Sequence, residues 1–317
     1  MAEVMKVYAN LHSHTTHSDG VFTPEELVKV AHDEGYRAIA CTDHDTFTGN
    51  AETRAAAEKY GLECIYGTEF STECPELGCG FHITAFHFDP EEPRMKEYLW
   101  QLSEKESDQT KLLFERGLSL GLIKDITWDE VLEYNKGITW LCNEHVFRAM
   151  KAKGLIDDLG YPKFFEEVYG PYRSEVPEKY PFRHVKEVIE IIHGAGGIAC
   201  VAHPRGQLHC IPTLVEWGLD GIEVWHSMLD IKERREALEL AKKYDLYVSG
   251  GADHEGLCGG EYSRYEHPEE TIFWVPPLTV GTTKYFYEEI RDAKKNPERQ
   301  KEFDRMLADE SIWVRAK

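Results

Sequence analysis

Within the first ninety residues, short β-rich runs alternate with amphipathic helical runs at a period of about 25, and this rhythm restricts the fold more than any other feature. KVYANLHSH (6–14), RAIACTDHD (37–45) and LECIYGTEFST (62–72) read as strands, whereas TPEELVKVAHDEGY (23–36) and NAETRAAAEKYG (50–61) read as helices. The first helix carries its own punctuation. Thr23 suits the N-cap, Pro24 the first helical position, and Glu26 completes a capping box. Strands and helices at this spacing build parallel βα units of an α/β fold.

The rhythm breaks after about residue 92 into polar helical segments such as 94–121 and 143–154, followed by the Pro/Gly/Tyr-rich YGPYRSEVPEKYPF (169–182). It resumes with helix 184–197, strand IACVAHP, helix PTLVEWG, strand LDGIEVWHS, helix 232–245 and strand LYVSGGADHEG. At least six strands, each closing on a polar cluster, suit a barrel better than an open sheet. The charged stretch 284–310 reads as a solvated outer helix.

Histidines and carboxylates gather where predicted strands end. His12 and His14 lie two apart, so strand alternation sends both imidazoles to one side, where they can share an ion. Asp19 follows in a loop. His44 ends the second strand, Glu69 the third and His203 a later one, while His82 lies in FHITAFHFD and Asp253 in GGADHEG. In a β/α barrel such ends converge on one pole. Any one of these histidines alone would read as an ordinary core or surface residue. Together with carboxylates that are costly to bury without a cation, they read as a metal centre. His82 is preferred to His87, which strand parity puts on the other face. His17, His32, His184, His193, His209, His226 and His267 fall on helices or loops and read as structural.

Charge narrows the partners. With 57 acidic against 36 basic residues the chain carries −21, which opposes broad capture of a polyanion and argues against nucleic acid, while leaving small anions open to a local cationic pocket. No apolar run is long enough to cross a bilayer, and the start lacks a basic and apolar leader, so no membrane role and a cytoplasmic setting are expected. The eight cysteines form no CxxC pair and read as reduced thiols.

The motifs NLHSHTTHSDG, TPEELVKVAHDEGYRAIACTDHDT, GTEFST, FHITAF, IACVAHP and GGAD, in this order, resemble the PHP (polymerase and histidinol phosphatase) phosphoesterases, in the branch of stand-alone small-molecule enzymes. The resemblance implies a distorted seven-stranded β/α barrel with an inserted small helical domain. The barrel would occupy 1–91 and 184–280, a substrate cap 92–183, and a helical tail 281–317. It also implies two or three divalent ions, manganese, zinc or iron. His12, His14, Glu69 and Asp253 would hold the first; Glu69 would bridge to a second on His82 and His203; Asp19 and His44 would supply a third. The family's usual histidine two residues past the aspartate is absent. His254 follows Asp253 directly, and Glu255 stands at the expected place. Either could complete the third site, or the site could stay empty; alternation favours Glu255. In the insertion, CNEHVFRAMKAKG looks like the family's RPHIARAL segment, with His145 matched and Asn143 replacing its arginine. Arg148, Arg173, Lys179 and Arg205 remain as phosphate contacts, Arg205 foremost because it follows His203 and Pro204.

The implied activity is hydrolysis of a small phosphorylated metabolite (nucleotide, nucleoside bisphosphate, sugar phosphate or cyclic phosphodiester) by a metal-bound hydroxide, since ions about 3.5–4 Å apart acidify water and neutralise phosphate oxygens. Glu69 and Asp253 would serve catalysis through the ions. His44 and His254 are candidates to protonate the leaving alcohol if the third ion is missing. Two other readings are a nucleic-acid exonuclease or polymerase-type module, opposed by the charge, and a C–N amidohydrolase, for which no bridging lysine at a strand end is evident.

Overall fold

The computed structural model describes residues 6–157, 160–177, 179–253 and 280–313. Its strands are β1 Val7–Asn10, β2 Ala38–Cys41, β3 Glu63–Ser71, β4 His82–Phe86, β5 Ile198–Val201, β6 Gly221–His226, β7 Tyr247–Gly251 and the two-residue β8 Thr282–Thr283. They form one sheet in the order β7-β6-β5-β4-β3-β2-β1-β8. The ends meet where Leu11 N–H donates to the Gly250 carbonyl (3.1 Å) and Asp253 N–H to the His12 carbonyl (2.9 Å), bending the sheet into a nearly closed barrel of seven principal strands. β2 and β5 are buried along their whole length, which is why AIAC and IACV read as unbroken apolar runs rather than alternating ones.

Among the seven principal strands one departs from the parallel rule; the short β8 also runs antiparallel, against β1. β4 pairs antiparallel with both β3 and β5, whereas β1–β2, β2–β3, β5–β6 and β6–β7 are parallel. The pole where the parallel strands end is therefore where β4 begins.

The helices α1 Pro24–Glu34 and α2 Asn50–Tyr60 form as their sequences require. Thr23 and Glu26 make the reciprocal capping box, and Gly35 ends α1 in the left-handed conformation at φ 97°. α3 Pro93–Ser119 is the longest helix among the described residues. Met95, Tyr98 and Leu102 on its first half belong to the barrel core. Leu113 and Phe114 on its second half belong to a separate core with Ile123, Val131, Val146 and Phe147, built from α4 Trp128–Tyr134 and α5 Asn143–Ala152. After the short α6 Tyr161–Phe164, the barrel layer resumes with α7 Val185–Gly194, α8 Ile211–Glu216 and α9 Ile231–Tyr244.

The C-terminal stretch is not a solvated outer helix. Its two helices, α10 Lys284–Arg291 and α11 Arg299–Ala308, bury Phe286, Tyr287, Ile290, Phe303 and Met306. These residues recur three or four apart and make one apolar stripe per helix, which the high charge count concealed. Phe286 lies between Trp225 (6.0 Å between ring centres) and Phe303 (5.3 Å). Arg299 is itself buried, with Glu289 at 3.0 Å and Asp245 at 2.5 Å.

Candidate metal centre

At the pole where β1, β2, β3, β5 and β7 end, the side chains expected from their spacing converge. His12 and His14 follow β1, His44 follows β2 in a parallel bridge to Glu69, His203 follows β5 and Asp253 follows β7. His82 is placed differently from the strand-end reading: it opens β4, opposite Ser71, and reaches the same pole because β4 is reversed. His87, past the other end of β4, carries φ 62° and belongs to the opposite pole.

Glu69 is fully buried at the centre. Its Oε2 lies 3.2 Å from His12 Nε2, 3.5 Å from His14 Nε2 and 3.1 Å from His44 Nδ1. Its Oε1 faces a different pair, His82 Nδ1 at 3.2 Å and His203 Nε2 at 3.0 Å. Asp253 Oδ1 lies 2.8 Å from His14 Nε2 and 3.4 Å from His12 Nε2. Asp19 stands between His14 Nδ1 (3.6 Å) and His44 Nε2 (3.5 Å).

Three of these sets could each hold an ion within a 4.8 Å spread: His12, His14, Glu69 and Asp253; His44, Glu69 and His82; and His14, Asp19 and His44. The donors themselves test whether ions fit. His12 Nε2, His14 Nδ1, His44 Nδ1 and Glu69 Oε2 are all buried without a hydrogen-bond partner among the described residues. Buried polar atoms seldom go unsatisfied, and four of them at one pole, three around Glu69 and His14 Nδ1 toward Asp19, suit ligand shells for more than one cation. Imidazole nitrogens with carboxylate oxygens suit manganese, iron or zinc.

The electrostatics agree. Burial works against ionising Glu69 and Asp253, yet the surrounding imidazoles, His12 foremost, hold both carboxyls well below their ordinary range. Burial likewise opposes charge on His14, but Asp19, Asp253 and Glu69 outweigh it and lift its pKa to about 10. His44 goes the other way: burial prevails over Asp19 and Glu69 and lowers its pKa. Their neighbours favour protons on His12 and His14, and an ion held by these imidazoles would have to displace them.

The cleft above the pole encloses about 640 Å³, with Asp19, His44, His82 and His203 on its floor and Trp140, Glu144 and Arg173 on the side of the insertion. The expected phosphate contacts divide. Arg205 lines the cleft and makes no ion pair among the described residues. Arg173 lines it too but is paired with Glu106 at 3.2 Å. Lys179 pairs with Glu104 (2.8 Å) and Asp108 (3.0 Å). Arg148 spends its guanidinium on the carbonyls of Ser18, Gly20 and Glu144, and so ties α5 to the loop that carries Asp19. His145 is also committed to main chain. Its Nδ1 accepts from Cys142 N–H, its Nε2 donates to the Thr16 carbonyl, and burial keeps it neutral. His254 and Glu255 lie outside the described residues.

The PHP domain model matches residues 10–193, and a 5′-3′ exoribonuclease of Haemophilus influenzae is 31% identical, covering 79% of this chain and 90% of that protein. The chain belongs to the PHP family. A phosphoribosyl 1,2-cyclic phosphate 1,2-diphosphodiesterase of Eggerthella lenta is 27% identical over 79% of this chain and 95% of its own length. A solved structure described as a metal-dependent phosphoesterase from Bifidobacterium adolescentis superposes with a TM-score of 0.70 at 27% identity, covering 92% of this chain and 98% of the other. The protein is accordingly a PHP phosphoesterase, metal-dependent like its family, with buried imidazoles and carboxylates that could hold the ions. Among the described residues, no helix is long and apolar enough to cross a membrane.

Two residues of this PHP pole escaped the sequence reading. His226 is not on a helix or loop: it closes β6, is fully buried, and has its Nε2 3.4 Å from Asp253 Oδ2. Glu223 is 1% exposed and faces His12. The signal available was a carboxylate in the middle of an otherwise apolar strand, GIEVWH, which has no business in a core without a partner. The other histidines set aside as structural include pairs of their own, His184 with Glu76 and His193 with Asp220.

Proposed function

We propose that this PHP enzyme hydrolyses the ester of a small metabolite that presents one phosphate to the pole. One ion would sit on His12, His14, Glu69 and Asp253, and a second on Glu69, His82 and His203. Asp19 and His44 would contribute to a third, completed by His254 or Glu255. The observation that carries this reading is the divided environment of Glu69, whose two oxygens face separate groups of histidines as a bridging carboxylate must. Bound manganese, zinc or iron would supply charge for the phosphate oxygens and acidify water.

The chain's own residues do the rest. Glu69 and Asp253, held ionised, keep their ligand oxygens available. Arg205, beside His203 on the cleft lining and without an ion pair among the described residues, would pair with a non-bridging phosphate oxygen. Where the third ion is missing, His44, its pKa lowered by burial and its ring at the cleft floor, would be placed to move a proton at its Nε2. We read 92–183 as the cap that selects the substrate, since Trp140, Glu144 and Arg173 all face the cleft from it.

A second reading is stepwise removal of nucleotides from a short RNA end, favoured by the identity to an exoribonuclease. The acidic lining, with Asp45, Glu106 and Glu144, and the net charge of −21 favour the small substrate. Phosphate release from a phosphorylated-metabolite library, with each metal in turn, and nucleotide release from a 5′-phosphorylated oligoribonucleotide in parallel decide between them. Turnover of the oligoribonucleotide with no metabolite above background would overturn the first reading.

A further inference from the structure

β6 should show its side chains alternately, so Glu223 and His226, three apart, ought to face opposite sides. They do not. Glu223 pairs with Ser249 and Trp225 with Gly250, so Val224 is an extra residue that shifts the register by one. Beyond this bulge His226 pairs with Gly251 and returns to the face of Glu223, while Trp225 packs outward on Phe286. An irregularity in a buried central strand has thus turned a carboxylate and an imidazole toward one pole.

Glu223 meets two of the proposed ligands from behind. Both its oxygens face His12 Nδ1, at 3.1 and 3.3 Å. Its Oε2 also accepts the main-chain N–H of His203 at 2.8 Å. His203 sits at φ 28°, a conformation that costs a non-glycine residue energy and needs an outside hold. Glu69 joins the same two histidines from the front, at His12 Nε2 and His203 Nε2. His12 and His203 are therefore clamped between two buried carboxylates, one touching the ion-facing nitrogens and the other touching the atoms that aim them.

We infer that Glu223 is a positioning residue that keeps the His12 proton on Nδ1, leaves the Nε2 lone pair for an ion, and at the same time pins the His203 main chain, so that one carboxylate aligns a ligand of each of two ions. This rests on the two-ion reading above. A carboxylate on the far nitrogen fixes the ring and raises its basicity, and loss of such a partner weakens metal binding by about ten- to a hundredfold.

The test measures zinc stoichiometry and affinity, by chelator competition on the full chain, for wild type, Glu223→Ala and Glu223→Gln, together with the Nδ1–H resonance of His12 in ¹⁵N-histidine-labelled, zinc-loaded protein. Expected are two or more ions in wild type, affinity about a hundredfold weaker in Glu223→Ala and about tenfold weaker in Glu223→Gln, which keeps the volume and one acceptor. The low-field Nδ1–H signal should be lost in the Ala variant and shifted in the Gln variant. If Ala does not fold, Gln alone decides. Wild-type affinity and an unshifted His12 signal in the variants would overturn the positioning role while leaving the two-ion reading intact. Wild type binding less than one ion would bring down both.

Discussion

The floor and the far wall of the cleft carry charge in opposite conditions. On the floor, His12, His14, His44 and Glu69 keep buried donor atoms without hydrogen-bond partners. On the wall, Arg173 is paired with Glu106, and elsewhere in the insertion Arg148 is spent on three carbonyls. An atom with no partner among the described residues suits something from outside; one already satisfied holds the chain together. The difference supports the proposal that the barrel pole binds ions and the insertion shapes the cleft, while Arg205 at the rim makes no ion pair among the described residues.

The sharpest way to break this contrast is Glu69→Gln. The amide can serve only one side of a bridge, so activity should fall by more than the roughly hundredfold that follows loss of a mere supporting group, and ion content should drop. Near-normal turnover with full metal content by elemental analysis would show that the floor is not the centre.

Next in size are the arginines. Arg205→Ala should lower kcat/KM on the order of ten- to a hundredfold through loss of one charge-assisted contact, with metal content and melting temperature unchanged. Arg148→Ala should do the reverse, costing about 1.5–3 kcal/mol of stability from the lost hydrogen bonds to the Asp19 loop while ion content at Glu69 persists. If Arg148→Ala leaves thermal stability alone and raises KM instead, the wall binds substrate through that residue and the division fails.

The smallest effect is on pH. In metal-free protein, His14 has its pKa raised to about 10 against an ordinary 6.5. Its pairing with Asp19, Asp253 and Glu69 thus contributes fully below about 6.5 and is lost as pH rises toward 10. Chelator-treated protein should melt at progressively lower temperature between these limits. Ions need the imidazoles unprotonated, so the loaded protein should hold its melting temperature across the same window. Calorimetry with and without added metal compares the two; parallel curves would show that no ion displaces those protons.

Much of this was readable because it depends on neighbours in sequence. The capping box at Thr23 and Glu26 involves residues three apart, and His12 and His14 share a side because two strand steps restore a direction. Their clustering with His44, Glu69, His203 and Asp253 needed only the rule that parallel strands of a barrel end at one pole. The same local reasoning went astray on the C-terminal stretch, where counting charge hid the phase of Phe286, Ile290, Phe303 and Met306.

What sequence determined alone was the order of elements and the chemistry presented at strand ends, because both follow from short-range periodicity. Tertiary structure decided three things that periodicity cannot reach. The reversal of β4 brought His82 to the pole by its first residue rather than its last. The close packing of the insertion on the β1 loop turned Arg148 and His145 from possible anion contacts into supports. The extra residue in β6 placed Glu223 and His226 on one face, since a bulge exists only in the register between two strands, and a register is a property of the pair.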